Sequence, residues 1–365
     1  MPAVVDLENL RADVDAAVAR HLHRLADEVG QIGPTATALT DQAGALLAGG
    51  KRLRAAFAYW SFRAHGGEAT GEGREAAVRA GAALELFQAA ALLHDDVMDA
   101  SDTRRGRPTA HRVFEARHAE AGWAGEPARF GESAAILLGD LCLVAAQREI
   151  AAALAPLPPR TAQAAREVFD AMQSEVIVGQ YLDVLVQAEP WGLDPAADEE
   201  RARAVLRAKS ASYSVRQPLV LGAVLAGADA ARLEAVDAVG LPLGEAFQLR
   251  DDVLGVFGDP DVTGKPAGDD LREGKRTVLV ARAMAAGDAD QRALVTSRLG
   301  DPALTDDDVQ ALRDVILATG ALDGVEHLIQ ELATAATGAL QRADLEETGR
   351  EVLLELTHAA VDRAA

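Results

Sequence analysis

Apolar residues recur at spacings of three and four along most of the chain, the mark of helices with one buried face. Near the start they fall at Leu7, Leu10, Val14, Val18, Leu22, Leu25 and Val29, which predicts an amphipathic helix over about 4–29. The same periodicity predicts helices at about 40–66, 74–100, 132–154, 161–187, 198–226 and 230–257. Five more follow at about 271–286, 289–299, 306–319, 322–343 and 347–363. Gly49 and Gly50 break or kink the second of these. Polar, Gly and Pro residues mark a turn at 101–110 and loops at 119–131, 187–198 and 258–269. No run alternates with the period of a strand, no stretch reads as an interdomain linker, and no repeat of fixed period is present. The expectation is an all-α chain forming a single domain over residues 1–365, a large helical bundle around a central apolar cavity.

Composition agrees and narrows the partners. The chain is 49% hydrophobic but only 4% aromatic, which favours closely packed, Ala-rich helices over a sheet. A net charge of -21 argues against nucleic acid or an anionic membrane as the main partner. Cys142 is the only cysteine, so no internal disulfide forms and a reducing compartment is expected. The first twenty residues carry Asp6, Glu8, Asp13 and Asp15 and lack the apolar core of a signal peptide. No stretch reaches the roughly 18 apolar residues of a membrane span. A cytoplasmic protein is expected.

Two stretches stand apart from this plan. The apolar segment from Ala80 to Leu93 runs into Asp95-Asp96-Val97-Met98-Asp99, and on a helix Asp95 and Asp99 lie one turn apart on one face. Two such carboxylates repel by about 4 kcal/mol at 4 Å and an effective dielectric of 20. No cation is near in sequence until Arg104 and Arg105. A solvated acidic helix end would be one explanation. A hard divalent cation is another, since Mg²⁺ takes one or two carboxylates together with phosphate oxygens. The stretch Gln248-Leu249-Arg250-Asp251-Asp252 ends a second apolar segment in the same way. Two oily helices ending in paired aspartates are expected to hold a diphosphate through bridging metals above an apolar wall.

Further polar residues fit an anion. Lys51 and Arg54, after two glycines, project from a helix start, where cations are disfavoured unless an anion explains them. The alternative is a basic helix start on the surface. Gln88 lies two turns before Asp95 on the same face, where a polar group needs a partner; a neighbouring helix could supply it. Arg104 and Arg105, adjacent in a turn, are expected to point apart. Pairing with nearby aspartates could coexist with binding phosphate.

These motifs together resemble the trans-isoprenyl diphosphate synthases, the polyprenyl synthetase family. Asp95 to Asp99 with Ser101 to Thr109 resembles the first aspartate-rich motif, Phe247 to Asp252 the second, and Gly49-Gly50-Lys51-Arg52-Leu53-Arg54 the N-terminal Gly-Lys-x-x-Arg element. The match runs in order from about 45 to 280. It implies the isoprenoid synthase type I fold, a homodimer and three Mg²⁺ ions with substrate bound, held by Asp95, Asp96, Asp99, Asp251 and Asp252. It implies that Lys51, Arg54, Gln88 and Arg105 bind isopentenyl diphosphate. It assigns Arg104, Lys209, Ser210, Gln248, Lys265 and Lys275 to the allylic diphosphate. Gln180 and Asp183 resemble polar lining of the same cavity.

The second motif departs from its fuller form, with Gly255 where a third Asp would stand, which weakens the case for Asp252 as a direct ligand. Ala90 and Ala91 occupy positions where relatives that stop at C15 carry aromatics, so the expected product is C20 geranylgeranyl diphosphate. Phe87 would set a floor further down. C15 and C25 or longer products remain alternatives. A class I terpene cyclase and an inactive regulatory subunit are the competing readings. The first needs a different second motif, and the second would lose its aspartates.

Overall fold

The computed structural model describes residues 6–192, 194–259 and 268–361. Helices make up nearly all its regular structure. In chain order they are α1 (Leu10–Ile32), α2 (Thr37–Leu47), α3 (Leu53–Ala64), α4 (Gly71–Met98), α5 (Ala110–Glu120), α6 (Pro127–Leu154), α7 (Pro159–Ala188), α8 (Pro195–Leu206) and α9 (Gln217–Leu225). They continue as α10 (Ala230–Phe257), α11 (Asp269–Arg272), α12 (Val278–Ala286), α13 (Ala289–Arg298), α14 (Asp306–Ala318), α15 (Ala321–Arg342) and α16 (Glu347–Val361). Two short strands, Thr103–Arg104 and Arg107–Pro108, pair antiparallel.

The differences from the expected helices have identifiable causes. Leu7 precedes α1 and is exposed; the carboxylate of Asp6 accepts the Arg11 N–H at 2.9 Å as the chain enters the helix. The buried stripe of α1 takes His21 rather than Leu22. His21 is buried because its Nδ1 lies 2.8 Å from the Glu149 carboxylate, and a buried polar group needs such a partner. Helix α5 lies in a stretch where no helix was expected. Its buried face is His111, Phe114 and His118, so histidines carry a periodicity that apolar residues do not.

The break between α2 and α3 falls where the glycines predict it. Gly49 and Arg52 both take positive φ, 76° and 53°. For Arg52 that conformation costs about 1–2 kcal/mol, and its side chain holds it in place. Its Nε donates to Asp15 at 2.7 Å, Nη1 to Glu85 at 3.1 Å and Nη2 to the Leu47 carbonyl at 2.5 Å.

The chain divides into two compact units. The first comprises Met1–Phe169, Pro218–Leu233 and Asp344–Glu355. Its centre is α4, packed on α1, α3 and α6. By length and hydropathy α4 is the one described helix able to span a membrane, but 78% of its most apolar window is buried inside the protein. The second unit comprises Asp170–Gln217, Glu234–Ala343 and Leu356–Ala365. In it α12 packs on α8 and α15.

Between α8 and α9 the chain winds as a π-helix, Arg207–Arg216. Pro218 offers no N–H to the Ser214 carbonyl and its ring crowds that turn. The wider winding avoids the clash, and the Gln217 N–H bonds the Ser212 carbonyl five residues back. Wide turns of this kind are rare and recur at functional sites.

Candidate active site

In the first unit, a two-residue hairpin aims the adjacent arginines. Arg104 pairs with Arg107 across the strands, and the loop residues Arg105 and Gly106 both have positive φ, 53° and 71°, the pattern of a type I′ turn. The two side chains part as expected. Arg104 turns to the end of α4, its Nε donating to Asp96 Oδ1 at 2.6 Å and its Nη2 lying 3.7 Å from Asp95 Oδ2. Arg105 turns to the end of α2, where Nη1 donates to the Leu46 carbonyl at 3.1 Å.

That second direction leads into a cluster of cations. Burial pushes the Arg105 guanidinium down from its usual range, Glu85 opposes this, and Arg104, Arg52 and Arg54 push it down further. Glu85 is buried, with one oxygen on Arg52 and the other without a hydrogen-bond partner. Lys51 is exposed, and among the described residues it makes no hydrogen bond or ion pair. Arg52, Arg54, Arg104 and Arg105 lie close together; Asp15 and Glu85 take Arg52 and the α4 aspartates take Arg104, and the positive charge that remains, with Lys51 next in sequence, suits an added anion. Arg52, by contrast, is buried and fully engaged, so it shapes the loop that presents Lys51 and Arg54.

One face of α4 is left partly open. Gln88, Ala91, Leu92, Asp95 and Asp99 are half-buried at helical spacing, while Leu84, Phe87 and Ala90 are buried. Phe87 meets Phe169 edge-on, ring centroids 6.4 Å apart. Of the three chain-length positions, only Ala91 lies on the open face. Gln88 bonds no described residue, so the helix partner that could have explained it is absent from the described residues.

In the second unit, the π-helix carries Lys209 and Ser210. Lys209 Nζ lies 2.6 Å from Asp183 Oδ2 of α7. Gly179 makes the approach possible, since a Cβ there would fall 2.3 Å from the Lys209 amide nitrogen. Ser210 is half-buried. On α10, Gln248 donates to Asp252 Oδ1 at 2.9 Å. Burial, then the Asp270 carboxylate, pushes Asp252 up to about 8, against the lowering effect of the Gln248 bond. Asp251 is half-buried beside it. Lys275 pairs with Glu273 and lies 3.7 Å from Asp270 Oδ1. Lys265 lies outside the described residues.

No group of three or more His, Cys, Asp or Glu among the described residues is arranged to hold a metal by itself. Mg²⁺ needs only one or two carboxylates and completes its octahedron with phosphate oxygens and water. The crowded charge at Asp252 is the kind a cation relieves. A surface groove of about 810 Å³ in the first unit is lined by Glu8, Asp13, Arg20, Arg74 and Arg79 among others. It includes none of the candidate residues, and its Arg74 is occupied by the Glu8 carbonyl and Asp13. Sequence reasoning missed Glu85 and Asp270. A buried Glu in an apolar stretch was the available signal for the first, and the Gly255 gap for the second.

Known proteins resemble this chain in sequence and fold. A sequence profile of the polyprenyl synthetase family matches residues 37–316. A geranylfarnesyl diphosphate synthase of Aeropyrum pernix is 34% identical over 85% of this chain and 89% of its own. A (2E,6E)-farnesyl diphosphate synthase of Mycobacterium bovis is 31% identical over 87% of this chain and 80% of its own. The crystal structure of a geranylgeranyl pyrophosphate synthase from Corynebacterium glutamicum, complexed with isoprenyl diphosphate and magnesium, superposes with a TM-score of 0.92. It is 36% identical and covers 98% of this chain and all of that one. The chain therefore belongs to the polyprenyl synthetase family and has the all-α fold of its isoprenoid synthases.

Proposed function

We propose that the protein is a Mg²⁺-dependent trans-prenyltransferase that joins isopentenyl diphosphate head-to-tail to an allylic diphosphate. The observation that carries this reading is the divided arginine pair. Arg104 is held on the carboxylates of α4, and Arg105 on the Leu46 carbonyl beside Arg52 and Arg54. A cyclase, which takes one diphosphate, has no use for the second cluster.

Lys51, Arg54, Gln88 and Arg105 bind the diphosphate of isopentenyl diphosphate and orient its double bond. Arg104, Lys209, Ser210, Gln248, Lys265 and Lys275 bind the allylic diphosphate. Arg104 and Lys209 stabilise the charge that builds on the leaving oxygen as the allylic C–O bond breaks. Asp95, Asp96 and Asp99, and Asp251 and Asp252, would hold Mg²⁺, three ions in all. Mg²⁺ held by these carboxylates would supply positive charge to neutralise the leaving diphosphate. The isopentenyl double bond attacks the allylic cation, and the proton then leaves to the released diphosphate, since among the described residues we assign no side chain as a dedicated base.

The product assigned is C20 geranylgeranyl diphosphate. The open face at Ala91 supports a chain that passes the motif, and the relatives span C15 to C25 names. We also infer one domain over 1–365, a cytoplasmic location and a homodimer. Phe130, Leu137 and Val144 lie exposed at seven-residue spacing on α6, the apolar stripe a second copy would cover. The test of the assignment is product length from labelled isopentenyl diphosphate with C5, C10 and C15 primers. A dominant C20 product supports it. A C15 stop keeps the mechanism and moves the floor to Phe87 or a facing helix, and no incorporation with any primer overturns the assignment.

A further inference from the structure

Helix α7 meets the π-helix at three points, one helical turn apart. Glu175, Gly179 and Asp183 follow one another at four-residue spacing and share one face of α7. At one end Asp183 takes the Lys209 ammonium at 2.6 Å, and in the middle bare Gly179 admits the Lys209 backbone. Glu175 holds the other end. Its Oε2 accepts the Ser212 hydroxyl at 2.7 Å and the Gln217 side-chain amide at 3.2 Å. Ser212 and Gln217 are 4% and 8% exposed, so each needs such an acceptor.

The two donors are five residues apart, and that spacing distinguishes one winding from another. In an α-helix they would point roughly 140° apart around the axis. The wider winding, in which the Gln217 N–H bonds the Ser212 carbonyl, turns both side chains to one side, where a single oxygen reaches them. We propose that Glu175 is a positioning residue for the transfer reaction: it selects the π winding over the α-helical one and so sets where Lys209 stands beside Asp183. Tightening the turn by one residue would rotate Lys209 by about 100° relative to α9. The segment has no room to absorb this sideways, because α10 lies against it too. A Cβ on Gly244 of α10 would fall 2.5 Å from the Ala211 carbonyl oxygen.

The inference rests on the synthase reading, and two readouts keep them apart. Lys209, 17% exposed beside Asp183, is labelled on the full chain with an amine-acylating reagent and quantified by peptide mass spectrometry, with exposed Lys51 as the internal reference. Steady-state kcat and the KM for each substrate are measured on the same proteins. Glu175→Gln keeps an oxygen that accepts both hydrogen bonds, so it should leave both readouts near wild type. Glu175→Leu fills similar space and accepts neither bond. It should raise Lys209 labelling several-fold and lower kcat about 100-fold, the effect of a shift near 1 Å, with the KM for isopentenyl diphosphate unchanged. A residue that only supports the fold would lower the melting temperature and move neither readout. Wild-type Lys209 labelling in a folded Glu175→Leu protein overturns the proposal, as does wild-type kcat or a Glu175→Gln protein as impaired as Glu175→Leu. If thermal unfolding shows that Glu175→Leu is not folded, Ser212→Ala removes the shorter bond from the other side and should move both readouts in the same directions. Failure of the wild type to condense prenyl substrates would sink the synthase reading instead, and Lys209 labelling alone would then decide whether Glu175 positions it.

Discussion

At the residue scale, the sequence showed which side chains carry charge and the structure shows how each is held. Arg104 and Arg105 are adjacent in the chain, and only the positive φ of Arg105 and Gly106 sends them to different partners. Replacing Arg105 with Lys keeps the charge and loses the planar fork that suits phosphate. A lost hydrogen bond to a charged group is worth about 1.5–3 kcal/mol, so Arg105→Lys should raise the KM for isopentenyl diphosphate by roughly 10–100-fold. The KM for the allylic substrate should stay near its wild-type value; equal rises in both would remove the division of labour. Glu149 gives a prediction for pH. Burial alone would raise its pKa, but hydrogen bonds from His21 and Arg79 hold it at about 2, below the ordinary 4.5. The folded protein thus binds fewer protons than the unfolded chain between those values. The stabilisation is complete above about pH 4.5 and fades as the pH falls toward 2. Glu149→Gln should lower stability by about 3 kcal/mol near pH 6, where breaking a buried pair is costly, and the deficit should shrink between pH 5 and 3. A deficit that does not change with pH would contradict this. The pairing joins positions 128 residues apart, which no local pattern announces.

At the scale of elements, periodicity placed α10 over 230–257 and the break at Gly49-Gly50, because apolar spacing and glycine punctuation are local signals. It missed α5, whose buried face is partly histidine, and it gave no sign of the π-helix, whose cause is Pro218 acting on the turn before it. Two predictions test this scale. Gly179→Ala puts a Cβ where the Lys209 backbone sits. It should cost about 1–3 kcal/mol of stability by overpacking, and a shift of Lys209 near 1 Å should lower kcat by about 100-fold. Wild-type kcat in a folded Gly179→Ala protein would show that the close approach does not position Lys209. Along α4, Ala90 is buried and Ala91 is half-buried, although both occupy the expected chain-length positions. Ala91→Phe should therefore shorten the product with little loss of stability. Ala90→Phe should lower the melting temperature, since an added ring has no space there. The reverse pattern in product chromatograms and melting curves would place the open face elsewhere on the helix.

At the scale of the whole molecule, the motifs in their order were enough to read an all-α isoprenoid synthase, because Asp-rich helix ends and a Gly-Lys-x-x-Arg start are short local patterns. The partners of Glu85 and Asp270 were not legible, although a Glu in an apolar stretch and the gap at Gly255 marked the places. Each matters through a neighbour distant in sequence: Arg52 for the first and Gly255 for the second. The net charge of -21 hides the gathering of Arg52, Arg54, Arg104 and Arg105, since a total says nothing about placement. If α6 meets a second copy, Leu137→Asp should convert the dimer to a monomer in light scattering, and an unchanged mass would put the interface elsewhere. The central claim is that breaking one allylic C–O bond is coupled to making one new carbon–carbon bond. The most direct test counts both in one reaction with Mg²⁺, isopentenyl diphosphate and a C15 allylic diphosphate. The account predicts one diphosphate released for each isopentenyl unit incorporated. Diphosphate released without incorporation would contradict it and point to a cyclase.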